Sequence, residues 1–418
     1  MSCSIYFQSH PPANFLLHCL HLHISSFLPY IYTTMGHREA TRHKADEYKE
    51  AEHIIRILKD KSPPEDTIIL GTDVGADIDD ELALCVGWLL HKWGVSTLRL
   101  IVTNREYRQQ RAKSTKCIMK DVGASGIKVA CGTDDDNEKP CHTYESSTDK
   151  PDDSIKDGNK AIVKVLKGLE KKKKRCRIVV LSSFCDLALL IKKHEGLVRA
   201  TVSAFFFQAH WGKDPDSQDL RPLRVDEKIS NYKWDLTSAE DVLGWLRHET
   251  IPTFTATRDA AVKCAVSSKT LKDAAEKGHP VAKHLYDAWI QQEHKFFDQA
   301  SKEDPTERFR PHMDLVWYVG RHQRWAKKNK DALPESFDDM KQFLDLVLYD
   351  AIAVLACMLK DCACFDQLFQ PLQQALKVNG KYVTHHIIGA DSENPNINAG
   401  LLSEFLSQLI KEVFADPL

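Results

Sequence analysis

Apolar positions in this chain fall into short solid runs, each followed by polar residues and then a stretch of helical spacing. Residues 68–70, 99–104, 127–131, 177–183 and 201–208 are such runs. Their length and their flanks read as buried strands. After the first, Leu82, Ala83, Val86, Leu89 and Leu90 lie on a helical stripe, and after the second Ala112, Ile118 and Met119 do so. Residues 186–191 open a helix after the fourth run, and residues 237–240 (TSAE) read as a capping box ahead of Val242, Leu243 and Leu246. Residues 346–356 form a strongly apolar helix start, and residues 386–390 read as a late strand. Strands alternating with helices predict an α/β protein with an open, mostly parallel sheet and helices on both faces.

The first strand leads into the densest chemistry of the chain. Asp73, Asp77, Asp79 and Asp80 fall within eight positions, with Gly75 among them, directly before the first helix. Aspartate near a helix N-terminus is favourable by capping and dipole, which accounts for one or two of the four. A calcium loop of the EF-hand type would need an oxygen ligand at its third position and glycine at its sixth, where Gly75 and Ile78 stand. A phosphatase with an aspartate nucleophile would need a second aspartate two residues on, again the place of Gly75. The reading that suits all four is a hard divalent cation held by oxygens at the carboxyl end of a strand.

This loop resembles the N-terminal signature of the inosine-uridine preferring nucleoside hydrolases, in a longer variant with the pattern Asp-x-Gly-x-Asp-x-Asp-Asp. Gly71 stands where that family usually has its first aspartate, and Asp77 has no settled counterpart. Further segments follow in the family's order: Leu181 to Ser183 before the fourth helix, Asn231 to Asp235, and Tyr349-Asp350. The resemblance implies a Rossmann-like core and a calcium ion held by Asp73, Asp80, Asp350 and the Leu181 carbonyl. It implies ribose contacts from Asp79 and Asn231, with Asn104 at the end of the second strand as a further substrate contact. It implies water activation by Asp73 and cleavage of the N-glycosidic bond of a ribonucleoside. Tyr349 takes the place of the histidine that protonates the leaving base, and a phenol is an indifferent acid near neutrality. His210, after a strand end, is the other candidate donor. Asp77 is open between a ligand, an outer brace and a loop support. A protein that keeps metal and ribose contacts with little turnover is the alternative reading, favoured by Gly71 and Tyr349.

Composition narrows the surroundings of that chemistry. A chain of 418 residues, 43% hydrophobic, can build a large core, and a net charge of −2 gives no reason to expect nucleic acid or an anionic membrane as partner. The expected partner is a small-molecule nucleoside, with self-association into a homo-oligomer left open. Twelve scattered cysteines without a Cys-x-x-Cys pair suggest buried thiols and a reducing, cytoplasmic setting. Residues 15–32 are apolar but broken by histidines and Pro29, which suits neither a secretory signal nor a membrane span. The expected organisation is a poorly structured extension over residues 1–34, a helix and linker over 35–64, and one α/β domain over 65–418. The basic run at 171–175 reads as a solvated corner, and residues 139–160 as an exposed loop. Aromatics at Phe296, Phe297, Trp317, Tyr318 and Trp325 suit helical packing or a cover that stacks on a base.

Overall fold

The computed structural model describes residues 28–60, 66–75, 77–124, 126–133, 143–144, 156–213, 220–329, 332–390 and 396–415. The chain forms two units, Met1–Lys49 and Glu50–Leu418. Helix α1 (Leu28–Lys59) begins in the first and ends in the second. Within the second unit Ala51, Ile54, Ile55 and Leu58 repeat at helical spacing and are buried in the core.

Eleven strands are described: β1 (Thr67–Thr72), β2 (Thr97–Thr103), β3 (Lys128–Cys131), β4 (Lys156–Asp157), β5 (Cys176–Val180), β6 (Val202–Gln208), β7 (Thr253–Ala256), β8 (Val266–Ser267), β9 (Asp345–Leu346), β10 (Leu372–Val378) and β11 (Lys381–Ile388). Nine form one sheet in the order β10-β11-β7-β6-β5-β1-β2-β3-β4. Every pairing in it is parallel except the β10–β11 hairpin at one edge. Helices α2 (Asp79–Lys92), α3 (Arg108–Asp121), α4 (Gly158–Lys171) and α5 (Cys185–Thr201) connect the central strands.

The sheet is covered on both faces, and the strands show it by alternation. Ile68 and Leu70 pack into one core with α2 and the helices Tyr349–Leu359 and Ala399–Val413. Ile69, between them, packs into the other with α4, α5 and the helix Leu236–Leu246. A strand buried on both faces needs the solid apolar run that the sequence carries. This is the open, mostly parallel α/β architecture the periodicity predicts.

Several pieces escaped the periodicity, β7 and β10 among them. Strand β7 is Thr-Phe-Thr-Ala, whose threonines are buried but read as polar. Strand β10 alternates half-buried and exposed residues at the sheet edge, so it has no solid run. The helix Leu236–Leu246 is capped by Asp235, not by a box starting at Thr237: the Asp235 carboxylate accepts from the Ser238 amide at 2.9 Å and the Ser238 hydroxyl at 2.5 Å. Two donors on one carboxylate outcompete a single hydroxyl cap. Residues 139–160 are not simply an exposed loop: Tyr144 is buried, residues 156–157 form β4 against β3 and residues 158–160 start α4, while the rest of that stretch, and residues 15–27, lie outside the described residues. Among the described residues, no helix is long and apolar enough to cross a membrane.

Candidate metal centre

Chain order places the centre. From β1 the chain runs outward through β2, β3 and β4, then returns to the other flank of β1 at β5 and continues through β6 and β7. The order reverses between β1 and β5. In open parallel sheets that reversal leaves a crevice at the carboxyl ends of the two strands, where ligands collect. Asp73 directly follows β1, and Leu181 directly follows β5.

The acidic loop folds into this crevice. Gly75 takes φ +96°, a left-handed conformation that glycine adopts without strain. The turn allows Asp77 to approach Asp79 and Asp80, the first residues of α2, so that one carboxylate oxygen from each lies within 4.8 Å of the others. The Asp80 Oδ1 accepts from the Thr72 hydroxyl and from the Asp73 amide at 3.2 Å. The Asp79 Oδ1 accepts from the Asp80 amide at 3.1 Å. Asp350 arrives from the start of the helix Tyr349–Leu359 and comes close to Asp80.

Asp73, Asp79, Asp80 and Asp350 are all buried. Burial pushes each carboxyl above its ordinary range. Mutual repulsion adds to the effect, with Asp350 acting on Asp79, Asp73 on Asp80, and Asp80 on Asp350. Glu81 behind them is pushed up by burial and then by Asp80. Such crowding is costly for charged groups without a cation. The donor set is oxygen throughout, which suits calcium or magnesium and not zinc. The structure thus brings Asp77 into the same cluster as Asp79, Asp80 and Asp350.

Leu181 and Asn231, assigned separately from the sequence, meet directly. The Asn231 Nδ2 donates to the Leu181 carbonyl at 2.8 Å, and also lies 2.9 Å and 2.7 Å from the Gln208 carbonyl and Oε1. Asn104 follows β2 and is buried; its Nδ2 donates to the Ser183 carbonyl at 3.3 Å. That contact ties the end of β2 to the loop after β5. His210 lies after β6 and donates from Nδ1 to the Trp211 carbonyl at 2.7 Å. Among the described residues it makes no hydrogen bond or ion pair with the acidic cluster. Tyr349 directly precedes Asp350 at the start of its helix. Burial pushes its phenol up, Arg321 and Arg258 pull it back, and Asp79 and Asp77 push it further up.

A second set of charges was not anticipated. Arg105 is buried, in a left-handed conformation at φ +69°, and donates from Nη1 to Asp73 Oδ2. Its Nη2 donates to Glu106 at 2.9 Å, and its guanidinium lies 3.6 Å from the centre of the Trp234 ring. Arg111 spans the Glu106 carboxylate, the Glu106 carbonyl and the carbonyls of Asp73 and Val74. A non-glycine residue held in that backbone region by buried ion pairs is typical of functional loops. The sequence signal was the burst of charge at Arg105, Glu106, Arg108 and Arg111 directly after the second apolar run.

A groove of about 1180 Å³ lies elsewhere, lined by Lys113, Lys160, Lys164, Lys167, Lys171 and Lys193 among others, and shares no lining residue with the cluster.

Solved structures share this fold. The type III effector protein XopQ, in complex with adenosine diphosphate ribose, matches at a TM-score of 0.68 and 21% identity, covering 87% of this chain and 99% of that one. The effector protein XOO4466 matches at a TM-score of 0.68 and 19% identity, over 88% and 99% of the two chains. The purine-preferring ribonucleoside hydrolase from Gardnerella vaginalis aligns more loosely, at a TM-score of 0.48 and 13% identity over 84% and 100%. Searches found no matching family model and no matching curated protein. At these identities the likeness to the two effectors establishes the fold alone.

Proposed function

We propose that this protein holds a divalent cation, with calcium the best fit, at Asp73, Asp80, Asp350 and the Leu181 carbonyl, and binds a ribosyl ligand against it. The reaction we assign is hydrolysis of an N-ribosyl bond to free base and ribose. The observation that carries this reading is the cluster of Asp77, Asp79 and Asp80 at the start of α2, with buried Asp73 and Asp350 beside it, at the point where strand order reverses. The fold it shares with an effector complexed with adenosine diphosphate ribose supports a ribosyl ligand.

A bound cation would supply Lewis acidity and a lowered pKa for water in its shell. Asp73 is the base that takes the proton of the attacking water as the N-glycosidic bond breaks and the base departs with the bonding electrons. Asp79 and Asn231 hold the ribose hydroxyls. Asp77 stands close enough to Asp79 and Asp80 to share the cation. Tyr349 borders the leaving base and orients it, while burial disfavours its anion.

A second reading is binding with little turnover. Arg105 favours it, because its guanidinium already engages the Asp73 oxygen that a proton would need. One experiment separates the two. Purified protein is titrated with calcium by calorimetry, then incubated with a panel of nucleosides, with and without chelator, and free base is measured. Chelator-sensitive base release supports the hydrolase. Tight calcium-dependent ligand binding without release supports the binder. Stoichiometric zinc, or no affinity for any divalent cation, removes both.

A further inference from the structure

The short helix Leu315–Gly320 carries Trp317, and Arg321 follows it. The Arg321 side chain is 13% exposed. Its Nη2 reaches Glu293 Oε1 at 3.4 Å, and its guanidinium lies 5.4 Å from the ring centres of both Phe296 and Trp317. Its Nε and Nη1 are buried, and among the described residues neither meets an acceptor. A buried donor without a partner is destabilising, and more so when it is charged. Two on one guanidinium, beside a ligand crevice, point to an acceptor that arrives from outside the chain.

Arg258, an exposed residue, lies 5.7 Å from the centre of the same Trp317 ring. The helix Arg258–Lys263 packs against the helix Tyr349–Leu359, which carries Asp350 in its first turn. Two cations and an indole thus gather beside the helix that brings Asp350 to the acidic centre. Glu293 offsets one of those charges through its pair with Arg321. A guanidinium presents forked N–H groups that match phosphate oxygens in pairs, which a neutral hydroxyl does not.

We propose that Arg321 and Arg258, with Trp317, form an anion subsite beside the acidic centre, so that the ligand is a phosphorylated ribosyl compound in preference to a neutral nucleoside. This rests on the ribosyl reading above and narrows it to a charged substrate class.

The test is calorimetric titration of the full chain, in excess calcium, with adenosine, adenosine monophosphate and adenosine diphosphate ribose. The phosphorylated compounds should bind at least about tenfold tighter than adenosine, the margin of one charge-assisted contact. Arg258→Gln changes an exposed residue, and Arg321→Lys keeps a cation beside Glu293, so both should fold. Each should remove most of the phosphate gain and leave adenosine affinity within about twofold. Equal affinity for all three ligands overturns the subsite and leaves the ribosyl reading standing. Equal weakening of all three ligands in both variants also overturns it, since the arginines would then only support the fold. Binding of none of the three overturns the ribosyl reading, and the subsite with it.

Discussion

Asp80 is buried, accepts from the Thr72 hydroxyl and the Asp73 amide, and is still pushed well above the usual carboxylate range by burial, Asp73 and Asp77. Two hydrogen bonds do not offset the loss of water around a charge with like-charged neighbours. Asp80→Asn and Asp350→Asn are therefore expected to raise the melting temperature of the cation-free protein. Both should also lose most of the thermal stabilisation that calcium adds. Calorimetric scans with and without calcium check this, and an undiminished calcium response would place the cation elsewhere. The same groups set the sign of a pH effect. Their folded pKa values lie above the ordinary 3.8, so the folded chain holds more protons than the unfolded one. Their contribution is complete below about 3.8 and is lost as pH rises through the raised values. The melting temperature of the cation-free protein should fall from pH 4 upward, and calcium should flatten that fall. Glu293 runs the other way. Burial pushes it up, but Arg321 and His322 outweigh burial and hold it at about 2, against an ordinary 4.5. Its contribution is complete above about 4.5 and is lost as pH falls toward 2, so Glu293→Gln should cost about 3 kcal/mol at pH 7, read by urea denaturation.

Elements matter here because the carboxyls ride on separate ones. Helix α2 and the helix Tyr349–Leu359 approach so closely at Gly87 that a Cβ there would lie 3.2 Å from Val354 Cγ1 and 3.3 Å from Met358 Cε. Glycine inside a helix costs roughly 1 kcal/mol relative to alanine, and close packing is what offsets that cost. The contact holds the starts of the two helices, with Asp80 and Asp350, at the same crevice. Gly87→Leu should spread the helices, destabilise by about 1–3 kcal/mol, and weaken calcium binding although no ligand changes. Denaturation with a parallel calcium titration checks both. A folded variant with unaltered calcium affinity would show that the helix contact does not set the site. The edge hairpin makes a contrasting case. Among the described residues β10 pairs with β11 alone, so its sequence carries no demand for burial on both faces.

At the scale of the molecule, one order of strands makes the centre. Because β1 sits between β2 and β5, the residues after β1 and β5 become neighbours although Asp73 and Leu181 are far apart in the chain. The second unit carries this sheet together with the helical stripe Ala51, Ile54, Ile55 and Leu58. A chain beginning at Glu50 is therefore expected to fold, to melt within about 4 °C of the full chain, a shift that corresponds to roughly 3 kcal/mol at this size, and to keep its calcium response. Scanning calorimetry of the shortened chain decides it, and failure to fold would show that residues 1–49 contribute to the core.

The sequence by itself determined the central strands, the helices α2, α3 and α5, and the acidic loop, but not α4. Burial on both faces forces solid apolar runs, and four aspartates in eight positions have few uses without a cation. These signals are local, so they survive without knowledge of the fold. Only the tertiary structure decided which side chains meet. It brought Asp350 to Asp80, set Asn231 on the Leu181 carbonyl, and laid Arg105 across Asp73 and Trp234. It likewise put Arg321 and Arg258 around one indole beside Tyr349. Each of these pairs joins elements far apart in the chain. Their meeting depends on strand order and helix packing, which no local pattern of apolar and polar residues encodes.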